Sequence, residues 1–289
     1  MSGQSYDPDK FKAAQKKSWD SVANGWKKWW PSIEQGAQVI SDHMVDSAGI
    51  KPGDRVLDIA TGIGEPAVTA ARRVGESGSV MATDQSGQML EVARERVADL
   101  GLKNISFHVS DCETLDVSES AFNAVICRWG IMFLPNPQAS LKRAHDLLVP
   151  GGKIAAAVWD TPDKAPGISL SMMVIRKMLN APPPHPDTPG PFAMADRGKL
   201  ITVFESAGFN DVRIEPKTVK FSWTSAEDHT QWIKDVASPI KAMLDGEPPE
   251  RRAEVWDAVT EAARAYAADD GSIAIDNQTI CISAAKADA

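Results

Sequence analysis

The sequence predicts a doubly wound α/β fold, in which a mostly parallel sheet of seven strands carries helices on both faces. Short apolar runs of strand length alternate with longer segments whose apolar residues recur at helical spacing. The stretch from residue 56 to residue 66 is typical of a buried strand, a tight turn at Gly62 and Gly64, and a helix that begins near Pro66. This order of strand, glycine turn and helix, followed by the alternation, predicts the fold.

Residues 1–48 are expected to form a helical lid. An amphipathic helical pattern runs through residues 8–30, and a second helix is expected from Ile33 to Met44. Gly49 is the expected stop of that second helix.

Residues 49–159 are predicted to be the cofactor-binding core, with strands and helices in alternation. The strands are expected at 55–59, 79–82, 105–109, 124–127 and 153–158, and the helices at 66–74, 87–100 and 138–148.

Residues 160–195 are expected to be an insertion, in which a methionine-rich helix precedes a proline-rich loop. Residues 196–289 resume the core and include a helical insertion at 225–270. The elements predicted after residue 160 are helices at 168–179, 199–206, 225–244 and 249–267 and strands at 212–215 and 279–282.

The acidic residues around the glycine turn indicate which cofactor it binds. Asp84 ends the second apolar run, twenty residues past Gly64, where a carboxylate can accept both hydroxyls of an adenosine ribose. The pattern from Gly62 onward also fits a dinucleotide motif, but Asp58 and Glu65 would face the pyrophosphate with negative charge. S-adenosylmethionine carries an ammonium and a sulfonium, so Asp58 can hold its ammonium while the amides of Gly62 and Gly64 take its carboxylate. The charge pattern favours the methyl donor.

From these residues the chain resembles the class I S-adenosylmethionine-dependent methyltransferases, and more narrowly their ubiquinone/menaquinone-biosynthesis-like branch. The resemblance covers about residues 50–159 and implies a Rossmann-like sheet with an antiparallel last strand. The segments that carry it are residues 56–64, Thr83-Asp84-Gln85-Ser86 with Met89, Ser110-Asp111-Cys112-Glu113 and Leu148-Val149-Pro150-Gly151-Gly152-Lys153.

The resemblance also implies roles for single residues. Asp84 would bind the ribose, Asp111 the adenine amino group beside the Cys112 backbone, and Asp58 the methionine end. Residues expected to complete the cofactor site are Ala60, Gly62, Gly64, Gln85, Met89, Arg128 and Trp26.

The methyl acceptor is expected above the carboxyl ends of the strands, beside the loop at residues 128–134. This loop is apolar and aromatic and lacks the Asn-Pro-Pro-Tyr or Pro-Cys of base-modifying enzymes, so an uncharged or lipophilic small molecule suits it best. The alternative is that these side chains only pack the sheet edge. The expected acceptor-site residues are Trp30, Trp129, Met132 and Phe133, and the candidate general bases are His185 and His229.

Three tryptophans stand close to Lys27 and Lys28 and allow three interpretations: Trp26, Trp29 and Trp30. They can close over the cofactor as a lid, pack on the core, or dock at a membrane surface, in that order of preference.

Composition narrows the function classes. The 289 residues carry a net charge of −8, which argues against a broad nucleic-acid surface. The three cysteines are far apart and are expected to be reduced, no metal-ligand spacing is found, and no apolar run is long enough for a membrane span. We therefore expect a cytoplasmic methyltransferase for a small molecule. The alternatives are an NAD-dependent oxidoreductase and a non-catalytic nucleotide-binding module, and the oligomeric state stays open.

Overall fold

The computed structural model describes residues 8–115, 117, 122–183 and 188–288. Its sheet has the strand order β3-β2-β1-β4-β5-β7-β6, with β7 antiparallel to both β5 and β6 and the other pairs parallel. The strands are β1 (Arg55–Ile59), β2 (Ser79–Asp84), β3 (Ile105–Val109), β4 (Phe122–Arg128), β5 (Leu148–Trp159), β6 (Asn210–Trp223) and β7 (Ile273–Ala285). The doubly wound α/β fold is therefore confirmed.

The helices alternate with the strands through the core and cluster at the two ends of the chain. They are α1 (Pro8–Asp20), α2 (Ala23–Ser47), α3 (Ala67–Val74), α4 (Gly87–Asp99), α5 (Pro137–Leu147), α6 (Pro166–Leu179), α7 (Arg197–Ser206), α8 (Ala226–Val236), α9 (Ser238–Ala242) and α10 (Pro249–Arg264). A short 3-10 helix at Ile131–Phe133 follows β4.

The strand order reverses between β1 and β4, which pair directly with each other. In an open α/β sheet a ligand binds at the carboxyl ends of the strands where the order reverses. The residues just past these two strands, Ala60 and Trp129, both have a φ of 56°. A left-handed backbone is uncommon in non-glycine residues and clusters at functional sites. The fold therefore places its ligand site here.

The N-terminal helices differ from the prediction. The chain breaks at residues 21–22, and α2 runs without interruption through Pro31. An internal proline costs a helix about 3 kcal/mol, but α2 buries Ile33, Ile40 and Met44 completely or nearly so, and each such side chain contributes about 1.5–3 kcal/mol. Packing therefore keeps α2 continuous.

The C-terminal elements are also longer or more divided than predicted. β6 and β7 pair over most of their length, far beyond 212–215 and 279–282. The helix predicted at 225–244 is split into α8 and α9. Leu100, the last residue of the helix predicted at 87–100, is 42% exposed because α4 ends before it.

Candidate functional site

A cavity of about 240 Å³ lies at the carboxyl ends of β1, β2 and β4. The N-terminal helices α1 and α2 contribute to its wall, as do α6, α8 and α9. The sequence-predicted residues that line it are Trp26, Trp30, Ala60, Gly62, Asp84, Gln85, Met89, Asp111, Cys112, Arg128, Trp129, Met132 and Phe133. Residues far apart in sequence are thus brought to one site.

Asp84 is fixed at the polar end of the cavity. Its Oδ2 accepts a hydrogen bond of 2.8 Å from the Gly62 N–H, and its Oδ1 accepts one of 2.8 Å from the Ser86 N–H. Burial raises the pKa of Asp84 to about 6, although both backbone hydrogen bonds oppose the increase. Gly62 has a φ of 57°, and a Cβ there would meet nothing within 4 Å. Its bare backbone therefore leaves room for a ligand beside the carboxylate.

Helix α1 covers the same end of the cavity through polar contacts. The Lys12 ammonium lies 2.8 Å from Asp111 Oδ2 and 2.5 Å from Glu113 Oε2. Gln85 Nε2 donates to Gln15 Oε1 at 2.9 Å, and Gln15 in turn donates to the backbone carbonyl of Phe133. These side chains hold α1 over the segments that follow β2, β3 and β4.

The thiol of Cys112 takes no part in this polar network beyond one weak contact, a 3.7 Å hydrogen bond from the Ser140 hydroxyl. Burial raises its pKa to about 12, so the thiol stays protonated. The expectation that the backbone of Cys112 matters more than its sulfur stays a prediction.

Asp58 lies behind the cavity wall and is not one of the lining residues. It is completely buried, and neither its carboxylate oxygens nor the nearby Thr61 hydroxyl makes a hydrogen bond of acceptable geometry with a described residue. Burial raises the pKa of Asp58 to about 8, although the Thr61 hydroxyl, the Ala67 N–H and the charge of Arg128 oppose the increase. A buried carboxylate without a hydrogen bond of good geometry is costly, so this position fits a ligand that brings a cation or an N–H group. The ammonium of S-adenosylmethionine is such a group.

The two glycine amides are not arranged as expected. The Gly62 N–H is used by Asp84, and the Gly64 N–H donates to the Thr61 carbonyl at 3.0 Å. Gly64 is also absent from the described cavity wall, and a Cβ there would lie 3.4 Å from the Ala93 Cβ on α4. Gly64 therefore serves turn geometry and helix packing in this structure, and its assignment to a ligand carboxylate stays a prediction.

A network of buried charges borders the cavity near the glycine turn. The Glu65 carboxylate pairs with Arg96 at 3.0 Å, and burial raises its pKa. The Arg96 guanidinium lies 3.3 Å from the centroid of the Trp30 ring. Arg128 pairs with Glu34 of α2 through Nη1–Oε1 and Nη2–Oε2 contacts, both of 3.3 Å. The network joins α2, the glycine turn, α4 and β4.

The opposite end of the cavity is aromatic. The Trp129 ring stacks on Trp159 with centroids 4.3 Å apart, and Phe221 lies edge-on to both. The Trp232 ring adjoins Phe221 at 5.8 Å. Apolar side chains that complete this end include Ile33, Met132, Phe133, Ile168, Met172, Ile233 and Ile240. Among the described residues of this aromatic end, none has a titratable side chain.

The tryptophan-rich part of α2 makes its contacts within the protein. Trp26 Nε1 donates to the Val236 carbonyl at 3.1 Å, and Trp29 Nε1 donates to Asp235 Oδ2 at 2.8 Å. Lys28 also pairs with Asp235, and Lys27 pairs with Glu95. Trp26 and Trp30 line the cavity, whereas Trp29 is not among the described lining residues. A contact with a membrane surface stays a prediction, and no helix in the described part of the chain is long and apolar enough to cross a bilayer.

One candidate base, His229, lies away from the described cavity wall. His229 is fully buried in contact with Trp223 and Trp232, both of its ring nitrogens lack a partner, and it is not a described lining residue. Burial among tryptophans lowers its pKa to about 4, and its assignment as a base stays a prediction. His185 lies outside the described residues.

Sequence reasoning did not identify several residues of the site. Lys12, Gln15 and Glu34 come from helices more than 60 residues away from their partners, and Trp159 and Phe221 lie beyond the strands predicted at 153–158 and 212–215. The one sequence signal among them is that Lys12 stands in a cluster of basic residues with Lys10, Lys16 and Lys17. Within the described chain, no group of three or more histidine, cysteine or acidic residues could hold a metal ion.

Comparison with known proteins agrees with this geometry. Residues 50–180 match the family model described as a methyltransferase domain. The chain is similar to the ubiquinone/menaquinone biosynthesis C-methyltransferase UbiE of Teredinibacter turnerae, with 30% identity over 122 residues, 42% of this chain and 49% of that protein. The chain thus spans about half the length of the curated relatives it matches.

Solved structures share the fold across most of the chain. The YcgJ protein of Bacillus subtilis superposes with a TM-score of 0.58 at 16% identity and covers 87% of this chain and 100% of its own. The [4+2]-cyclase SpnF superposes with a TM-score of 0.55 at 18% identity, with 88% and 82% covered. At such identities these likenesses show the fold alone.

Proposed function

We propose that this chain transfers a methyl group to a small, apolar and aromatic acceptor. Its residues 50–180 match a methyltransferase domain, and we assign that domain to the class I S-adenosylmethionine-dependent methyltransferases of the UbiE-like branch. The observation that carries the proposal is the division of one cavity into a polar end at Asp84 and Asp111 and an aromatic end at Trp129 and Phe221. The first suits the cofactor and the second the acceptor.

The polar end supplies what an adenosine moiety requires. Asp84 is held by two backbone N–H groups and can accept the ribose hydroxyls without losing its position. Asp111 can accept the adenine amino group if the Lys12 ammonium shifts towards Glu113, which it already contacts. Met89 provides an apolar surface beside the base.

The cofactor supplies an electrophilic methyl group, and the protein must mainly align the acceptor with it and exclude water. Trp26, Trp30 and Trp129 line the cavity and can exclude water from it. Since no described side chain at the aromatic end is titratable, the acceptor has to bring its own nucleophilic atom. Methylation of the acceptor yields the methylated product, S-adenosylhomocysteine and one proton. This proton passes to water as the products leave, so a general base is not part of the proposed mechanism.

The aromatic end favours a flat, uncharged ring as the acceptor. Stacked and edge-on aromatic side chains bind such a ring through offset or edge-to-face contacts, each worth about 0.5–1.5 kcal/mol beyond burial. The names of the UbiE relatives place their reaction in ubiquinone and menaquinone biosynthesis. We extend this to a quinone-related acceptor, such as a hydroquinone, for the present chain.

Isothermal titration with S-adenosylhomocysteine and with NADH tests the cofactor assignment. We expect the homocysteine compound alone to bind, and Asp84→Asn to weaken it roughly 10- to 100-fold, because a hydrogen bond to a charged group contributes about 1.5–3 kcal/mol. Asp99→Asn, at an exposed position on α4, is the matched control and should bind as the wild type does. Binding of NADH alone would overturn the assignment.

Transfer itself is measured with S-adenosylmethionine that carries a radiolabelled methyl group and a panel of hydroquinones and phenols. Label in the organic extract that requires both protein and acceptor supports the proposal. Because the same fold occurs in a protein named as a cyclase, tight cofactor binding without transfer to any acceptor would instead favour a non-methylating role.

A further inference from the structure

The carboxylate of the methionine moiety has no evident partner in the glycine turn. The N–H of Gly62 is bound to Asp84, and that of Gly64 is bound to the Thr61 carbonyl. A carboxylate desolvated in a cavity requires N–H donors or a cation. Another group at the same end of the cavity should therefore bind it.

Arg128 is the cation placed there. It is the last residue of β4, lines the cavity, and stands beside the loop that follows β1, where the strand order reverses. The other basic residue in the described cavity wall is Lys12, which is paired with Asp111 and Glu113 at the polar end. Of the two basic residues in the described cavity wall, Arg128 is thus the one at the end of β4.

The guanidinium of Arg128 has one edge occupied and one edge open. Glu34 binds the end-on edge through Nη1 and Nη2, and Nη1 also donates to Ser41 Oγ at 2.8 Å and to the Ala37 carbonyl at 3.3 Å. A guanidinium has five N–H donors in a planar fork. The Nε–H and the second Nη2–H have no acceptor among the described residues. These two parallel donors form the side edge that binds a second carboxylate in a bidentate manner.

We propose that the side edge of Arg128 binds the carboxylate of the cofactor's amino-acid moiety, while Glu34, Ser41 and the Ala37 carbonyl hold the opposite edge. This inference rests on the proposed function, because it assigns one part of the same cofactor. It links α2 to the cofactor through the ion pair of Glu34 with Arg128. The carboxylate and the adenosine are then bound by different residues, because Asp84 and Asp111 bind the adenosine.

The test compares S-adenosylhomocysteine with its decarboxylated analogue, S-adenosyl-3-thiopropylamine, which differs only in the missing carboxylate. By isothermal titration, the wild-type protein should prefer the homocysteine compound roughly 10- to 100-fold. Arg128→Met should bring the two affinities within about threefold of each other, through loss of affinity for the homocysteine compound alone. Such a cycle of two proteins and two ligands isolates the pairwise contact.

Two controls separate this role from a structural one. Arg72→Met, an exposed arginine on α3, should retain the full preference for the carboxylate, whereas Asp84→Asn should weaken both ligands equally. If Arg128→Met does not fold, Arg128→Lys keeps the charge without the bidentate edge and should lose most of the preference.

The possible outcomes distinguish the inference from the function on which it rests. If the wild-type protein binds both ligands equally, or if Arg128→Met weakens both by the same factor, the assignment of Arg128 is wrong and the proposed function stands. If Arg128→Met retains the preference, a backbone N–H of the glycine turn binds the carboxylate instead. If neither ligand binds to the wild-type protein, the proposed function itself fails.

Discussion

Replacing His229 with phenylalanine should stabilise the protein and change how its stability depends on pH. His229 has no exposed surface, its ring meets Trp223 edge-on at 4.7 Å, and neither ring nitrogen has a partner. Leaving a buried polar group unpaired costs about 1–3 kcal/mol. Phenylalanine keeps a flat ring among the tryptophans and removes both nitrogens. We therefore expect His229→Phe to raise the free energy of unfolding by about 1–3 kcal/mol at pH 7.5.

The pH dependence follows from linkage. Burial lowers the pKa of His229 to about 4, whereas the unfolded chain has the ordinary value of about 6.5. Between these values the unfolded state binds a proton that the native state does not, so stability is lost as the pH falls from 6.5 towards 4. At pH 5.5 the loss for one such histidine is roughly 1.4 kcal/mol relative to pH 7.5. The advantage of His229→Phe over the wild type should grow by that amount.

Urea unfolding at pH 7.5 and pH 5.5 measures the difference. Asp58 and Asp84, whose pKa values are raised by burial, act in the opposite direction but cancel between wild type and variant. His108→Phe, at an exposed position on β3, is the control and should show no growing advantage. If the difference in the free energy of unfolding between His229→Phe and the wild type is the same at both pH values, His229 is protonated or hydrogen-bonded in the native state. Loss of methyl transfer in a stable His229→Phe protein would support His229 as a catalytic residue.

Three other changes have definite expected outcomes. Burial raises the pKa of Asp58 to about 8, and the ammonium of a bound ligand favours the ionised form of Asp58. The affinity for S-adenosylhomocysteine should therefore rise up to about tenfold from pH 6.5 to 7.5, and titration calorimetry should show no such rise in Asp58→Asn. A Cβ on Gly130 would lie 2.6 Å from the Ala60 Cβ, so Gly130→Ala should lower the melting temperature by a few degrees, from about 1–3 kcal/mol of overpacking, in differential scanning calorimetry. Lys12→Met removes the half-buried pair with Asp111 and should speed amide exchange in α1 about two- to fivefold by mass spectrometry, whereas an unchanged rate would show that α1 is held by other contacts.

The sequence identifies those parts of the fold whose causes are local. The strands at 55–59 and 105–109 are confirmed to the residue because a short apolar run is bounded by turn residues on both sides. β6 was predicted too short, since it is an edge strand in which polar residues alternate and Pro216 interrupts the apolar pattern. Its length is set by pairing with β7, some 60 residues later in the chain. The continuity of α2 likewise depends on distant partners.

In the site, too, the sequence identifies what local geometry fixes and misses what distant contacts fix. Asp84 and Gly62 could be placed from the sequence because a strand, a turn and a helix fix their relative positions within 23 residues. The use of the Gly62 N–H by Asp84 could not, since it depends on the side-chain rotamer. The ion pair of Arg128 with Glu34 joins residues 94 positions apart, and nothing in the sequence predicts that the two residues meet. Such contacts arise only when α2 packs across the sheet.

The buried charges near the glycine turn suit a cationic ligand. Buried ion pairs contribute little to stability, because desolvation offsets their attraction, so stability alone does not account for Glu34, Glu65, Arg96 and Arg128 in one place. The raised pKa of Asp58 favours its protonated form near pH 7. The two carboxylates of Glu34 and Glu65 then balance the two guanidiniums of Arg96 and Arg128, and these five side chains together carry no net charge. An S-adenosylmethionine molecule carries one net positive charge, from a sulfonium, an ammonium and a carboxylate. If its arrival ionises Asp58, the loaded site is neutral again. The high pKa of Asp58 thus lets the protein exchange a proton for the cofactor without leaving an uncompensated charge in its interior.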